Sequence, residues 1–112
     1  MKNKTHPQRY DIFYADLNPT IGSEIRKIRP VVIVSQNLMN QHLETVVVCP
    51  LTSKIHPNWR SRIQIDCAGV QAEIAVDQIR TISKLRLKNK LDVLSQDVAI
   101  QLRFLITEMY GE

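Results

Sequence analysis

Residues 29–35, Arg29-Pro30-Val31-Val32-Ile33-Val34-Ser35, form an almost unbroken β-branched run. Such side chains are stiff at χ1 and fit a pleated strand better than a helix. A run with no polar alternation offers no face to water, so it predicts a strand buried on both sides. Residues 45–51 (TVVVCPL) repeat the pattern and predict a second buried strand, with Pro50 at its end. Residues 36–42 between them predict one or two helical turns.

Towards the N-terminus, residues 11–17 (DIFYADL) alternate. Phe13, Ala15 and Leu17 point one way in a strand, Ile12 and Tyr14 the other. Asn18-Pro19 closes it. Residues 20–27 are polar and carry Gly22, so they predict a flexible loop. Residues 1–9, polar and basic, predict a loose arm ahead of a single domain over residues 10–112.

Towards the C-terminus, residues 52–61 (TSKIHPNWRS) predict a loop. Residues 62–66 (RIQID) alternate, with Ile63 and Ile65 inward. Residues 73–77 and 79–83 predict two more short strands. Residues 84–91 (KLRLKNKL) set Leu85, Leu87 and Leu91 on one face and Lys84, Arg86, Lys88 and Lys90 on the other. That basic row either guards a sheet edge or attracts an acidic partner. A helix follows, with Ser95 as N-cap and Asp97 in its first turn. Val98, Leu102, Leu105 and Met109 form its apolar stripe, with Ile106 beside it. Ile100 and Phe104 fall on a different face, a candidate partner surface. Short strands with one terminal helix predict a small, strongly bent β-sheet or barrel.

At 112 residues the chain fits one domain. Its 44% hydrophobic and 23% charged content excludes disorder throughout. The apolar runs are too short to cross a bilayer, and residues 1–9 do not read as a secretory signal, so a cytoplasmic protein without membrane contact is expected. Cys49 and Cys67 read as free packing thiols. His6, His42 and His56 are scattered, so neither metal nor other cofactor is expected. The formal charge of +4 is unevenly placed, which suits an acidic partner such as nucleic acid or an acidic protein segment.

The ordered set Asp16-Leu17-Asn18-Pro19, Gly22-Ser23-Glu24, Arg29-Pro30 and the apolar strand closely resembles the MazF/PemK/Kid toxin ribonucleases. Asn40, Pro50-Leu51-Thr52 and Asp77-Gln78-Ile79-Arg80 continue the resemblance. One departure stands at Tyr10, where the family usually has glycine, and a local change at the strand start is expected there.

The resemblance implies an SH3-like barrel of the CcdB/PemK type, mainly β (α+β), with about five to seven strands and a C-terminal helix. It implies a homodimeric toxin of a type II toxin–antitoxin system. The implied activity is metal-independent, sequence-specific cleavage of single-stranded RNA. The RNA's own 2′-hydroxyl attacks, leaving a 2′,3′-cyclic phosphate and a 5′-hydroxyl, and translation and growth stop. The implied partner is an antitoxin with an acidic, disordered tail.

Arg29 and Thr52 match the family's catalytic Arg and Thr. A guanidinium can donate two hydrogen bonds to phosphate oxygens as clamp or acid. The Thr52 hydroxyl adds a second donor. Glu24 can accept the 2′-hydroxyl proton, or else pair with Arg26 or Lys27. Arg26, Lys27, Lys54 and Arg60 are candidate phosphate contacts. Trp59 stacks a base or pins its loop. Asn40 and Gln78 read base edges or brace the groove. His56 is expected to be a solvent-exposed loop histidine. Two rival readings are a non-enzymatic, CcdB-like gyrase-binding toxin and an SH3-like interaction module. The first depends on a C-terminal Trp-Gly-Ile, and this sequence ends Met109-Tyr110-Gly111-Glu112. The second leaves the ordered motif unexplained.

Overall fold

The computed structural model describes residues 6–18, 22 and 28–111. Its strands are β1 (Asp11–Asp16), β2 (Ile28–Ile33), β3 (Thr45–Thr52), β4 (Arg62–Cys67), β5 (Val70–Ala75), β6 (Arg80–Ser83) and β7 (Leu87–Val93). Helix α1 (Asn37–His42) joins β2 to β3, and helix α2 (Gln96–Tyr110) follows β7. Single 3-10 turns occupy Val76–Gln78 and Lys84–Arg86.

Strand pairing is antiparallel, in the order β4-β5-β3-β2-β1-β7, with β6 also on β3. β3 is the pivot. On one side it runs along β2, from Val31 opposite Pro50 to Ile33 opposite Val48. On the other side its first half pairs with β6, and its end pairs with β5 through Leu51–Ile74 and Thr52–Glu73. Pro50 lies where one neighbour gives way to the next, so a residue without an N–H is tolerated inside the strand. The strand accordingly runs past the expected end to Thr52. The change of neighbour curls the sheet into a half-barrel.

The curled sheet is packed on both faces, as the β-branched runs require. Val32 of β2 and Val34 just after it join one cluster with Ile12, Cys49, Leu51, Ile74 and Leu102. Val31 and Ile33 join the other, with Ala15, Leu17, Val46, Val48 and Ile82. The helix α2 lies on the first cluster through the predicted stripe, with Leu102 fully buried and Val98, Leu105, Ile106 and Met109 beside it. Ser95 Oγ accepts from Val98 N at 3.3 Å as the N-cap, and Tyr110 donates its hydroxyl proton to Val76 O at 2.9 Å. Leu102→Ala should therefore cost about 2–5 kcal/mol of unfolding free energy in urea titration. Ile100 and Phe104 stay on the exposed face of α2.

Several expectations change. Residues 84–91 do not form one two-faced strand. A 3-10 turn intervenes, its first turn held by Leu85 N donating to Ser83 Oγ, and Leu85 is 92% exposed. Two irregularities in the β1–β7 register then put Leu87 in one cluster and Leu91 in the other. The strand expected at residues 73–77 starts at Val70 and yields to a 3-10 turn at Val76. The arm is outside the described residues over 1–5, but Gln8 N donates to Asp11 Oδ2 and Arg9 N to Asn37 Oδ1. Of the 20–27 loop only Gly22 is described, with φ +63°.

Tyr10 shows no loss of the glycine-like backbone. It takes φ +75°, the left-handed region that glycine favours. Its N–H donates to Ile33 O at 2.7 Å and its carbonyl accepts from Leu94 N at 3.0 Å. Arg9 lies 5.1 Å from its ring centre. These contacts oppose the roughly 1–2 kcal/mol that a side chain costs in that conformation.

Candidate active site

Arg29 and Thr52 meet because of the β2–β3 register. Continued two residues beyond Val31–Pro50, it sets Arg29 opposite Thr52. Both line one cavity of about 320 Å³, together with Tyr14, Cys67, Ala68 and Gln71. The cavity's far wall is the β4–β5 hairpin, closed by Ala68 at φ +49° and Gly69 at φ +84°. Left-handed values at both central residues define the turn that matches strand twist in a two-residue hairpin. Ala68 N donates to Asp92 Oδ2 at 3.0 Å, tying the turn to β7.

Thr52 also borders a second cavity, of about 340 Å³, shared with Lys54, His56, Trp59, Arg62, Asp77 and Gln78. The Thr52 side chain thus stands between the two hollows. Its Oγ1 accepts from Lys54 N at 3.1 Å, which leaves the hydroxyl proton for donation to a ligand.

The second cavity is backed by a charge network. Glu73, opposite Thr52 in the register, has no exposed surface. It accepts from His56 N at 2.7 Å, Gln64 Nε2 at 2.8 Å and an Arg62 guanidinium nitrogen at 2.7 Å. Burial opposes its charge, but these donors outweigh burial and hold its carboxyl below the ordinary glutamate value. Arg62 reaches on through Nε to Asp77 Oδ1 at 2.7 Å, and Ser61 Oγ adds a 2.9 Å bond to the same oxygen. Burial is again outweighed, and Asp77 too is held low. Trp59 closes the layer, its ring stacked 4.0 Å from that of His56 and 4.5 Å from the Arg62 guanidinium carbon.

The predicted site residues divide. Arg29 and Thr52 share the first cavity, and Lys54, Trp59 and Gln78 line the second. Arg60 is exposed and lines neither. Glu24, Arg26 and Lys27 lie outside the described residues. Asn40 is corrected: it is fully buried, donates to Ser35 O at 2.9 Å and accepts from Ser35 Oγ. It braces α1 against the sheet and has no surface for a base. His56 is corrected as well, being half-buried, stacked and hydrogen-bonded.

Glu73, Arg62 and Asp77 carried no role in the sequence reading. The available signal was Glu73 alone among apolar residues, since a carboxylate there requires a cation, and Arg62 supplies it from the start of the neighbouring strand β4. Burial pushes the Cys49 thiol up to about 12 and raises that of Cys67, so neither is a reactive thiolate. Among the described residues no cluster of His, Cys, Asp or Glu could hold a metal ion. No described helix is long and apolar enough to cross a membrane.

Fold and site together define a small curled-sheet protein with an arginine–threonine cleft at the ends of its central strands. The chain belongs to the PemK-like, MazF-like toxins of type II toxin–antitoxin systems, whose sequence pattern matches residues 8–110. Endoribonuclease MazF of Staphylococcus saprophyticus is 40% identical over 96 residues, covering 79% of this chain and 78% of that one. The crystal structure of MazF from Deinococcus radiodurans superposes with a TM-score of 0.85 at 20% identity, over 97% of this chain and 100% of that one. A mycobacterial endoribonuclease in complex with its cognate antitoxin gives 0.78 at 20% identity, over 94% and 95%.

Proposed function

We propose that this chain, an endoribonuclease of that toxin family, cleaves single-stranded RNA at specific sequences without a metal ion. The RNA 2′-hydroxyl attacks the adjacent phosphorus, leaving a 2′,3′-cyclic phosphate and a 5′-hydroxyl. The observation that supports this most is the convergence of Arg29 and Thr52, far apart in sequence, on one cavity.

A phosphodiester undergoing internal attack gains charge on its non-bridging oxygens. The planar fork of Arg29 can meet two of them, and the Thr52 hydroxyl a third contact. Such preorganised donors act where charge develops, so they lower the barrier instead of merely tightening binding. Glu24 is the proposed acceptor of the 2′-hydroxyl proton. Lys54 and Gln78 on one side, and Arg26, Lys27 and Arg60 near the loops, are the proposed strand contacts, with Trp59 offering a stacking face. The enzyme is a homodimer in the cytoplasm, and a cognate antitoxin with an acidic tail competes with RNA for this groove.

The purified protein incubated with a long RNA in EDTA should give discrete fragments ending in cyclic phosphate. Intact RNA overturns the reading and favours a binding toxin or interaction module. Thr52→Ala should slow cleavage about 10²-fold, the range for loss of one such donor, with the fold retained by circular dichroism.

A further inference from the structure

The cavity shared by Arg29 and Thr52 offers more than two phosphate contacts use. Tyr14, Pro30, Leu51, Val70, Ala72 and Leu91 line it with apolar surface, and Arg29, Thr52, Ser53 and Gln71 supply its polar groups. Leu51 and Ala72 belong to the first hydrophobic cluster and Leu91 packs on it, so the cavity is the open end of that core. Two of its apolar side chains remain in solvent, Tyr14 at 36% and Val70 at 64% exposure. Gln71 is exposed, and among the described residues its side chain makes no hydrogen bond. An apolar hollow with a few polar groups beside it fits a flat ligand that has two apolar faces and a hydrogen-bonding edge.

We propose that this cavity is a nucleobase pocket for one of the two nucleotides joined by the scissile phosphate, with Tyr14 as its stacking face and Gln71 as the residue that reads the base edge. The inference rests on the ribonuclease reading above, which sets the phosphate at Arg29 and Thr52 and so brings an attached nucleotide to the cavity. Single-stranded RNA supplies such a base, because unstacked bases are free to lie on an aromatic ring and to present their edges. The Gln71 amide, with two donor hydrogens and a carbonyl acceptor, suits that edge. A second phosphate does not suit the hollow, since an apolar floor strips its water without replacing the hydrogen bonds. Thr52 also borders the second cavity, where Trp59 offers another ring. The two nucleotides flanking the break therefore part, one base to each hollow. A stacked duplex does not allow that parting. In a stacked strand the 2′-oxygen also lies out of line with the bond it must displace, and drawing the neighbouring bases apart frees the linkage to reach that line.

Sequencing the new 5′-hydroxyl ends locates the cleaved bond, and RNAs carrying hydrogen in place of one base then probe each flanking nucleotide in turn. In wild-type protein the missing base at the position served by this cavity should lower kcat/KM about 10–100-fold. Tyr14→Ala should cut intact RNA more slowly by a similar factor and lose the penalty at that position, keeping any penalty at the other. Tyr14→Phe, which retains a ring, should restore it. Gln71→Leu, at an exposed position where folding is not at stake, should keep the penalty for a missing base but level a preference of about 10–100-fold among the four bases there alone. Penalties in Tyr14→Ala that match wild type at both positions, or an unchanged base preference in Gln71→Leu, overturn the proposal while leaving the ribonuclease reading intact. Wild-type protein that cuts RNA but ignores both missing bases does the same, and gives the cavity to an apolar side chain of a protein partner. Wild-type protein that cuts no RNA overturns the two together.

Discussion

Arg29→Ala should lower kcat/KM for RNA cleavage about 10²–10³-fold, with the unfolding transition little changed. The side chain is half-buried at the second position of β2 and lines the cavity with Thr52. It belongs to neither hydrophobic cluster, whereas Val31, Val32 and Ile33 immediately after it supply the packing. Removing the guanidinium therefore takes away charge-assisted donors at the cleft without opening the core. Arg29→Lys is the sharper variant. It keeps the charge but replaces a planar fork with a point donor, so it should recover binding more than turnover. Single-turnover rates read at the new 5′-hydroxyl ends, beside thermal midpoints, separate the two effects. An alanine variant cutting at the wild-type rate removes Arg29 from the chemistry.

The parts of this molecule written in local pattern were legible, and those that depend on distant partners were not. Two β-branched runs declared β2 and β3, and a 4-3-4 apolar spacing behind Ser95 declared α2, because each signal lies within one element. The Ala68-Gly69 turn escaped notice because alanine gives no sign of a left-handed φ. Its conformation is held by Asp92, 24 residues away. Likewise the basic–apolar alternation of residues 84–91 spoke for one strand, and a 3-10 turn and two register irregularities redistributed its leucines. Arg29 and Thr52 were marked by resemblance, but their meeting is a property of strand register. Glu73 was invisible for the same reason: its donors come from His56, Arg62 and Gln64, on a loop and a neighbouring strand. Asn40 misled because an amide suited to base edges is equally suited to satisfying a buried serine.

Glu73→Ala should destabilise the fold by about 3–5 kcal/mol, the range for removing one partner of a buried ion pair. Arg62, with a side chain only 4% exposed, then keeps Asp77 as its carboxylate partner, and His56 N loses its acceptor. The same network sets an acid limit on stability. Glu73 and Asp77 are both held below their ordinary values in the folded chain. The unfolded chain thus takes up protons first as pH falls. The stabilisation is fully present above the unfolded carboxyl values, about 4, and drains away as pH drops through the lower, folded ones. Urea midpoints should accordingly be level in this contribution near neutrality and decline below about pH 4.5. Glu73→Gln should show a shallower acid decline, since an amide has no proton to gain. It should also start from a lower plateau, because its NH₂ group would face donors where the carboxylate accepted from three. A variant as stable as wild type at pH 7, with an unchanged acid limb, would mean that the Arg62–Glu73 pair contributes nothing to holding the loop of His56 and Trp59 on the sheet.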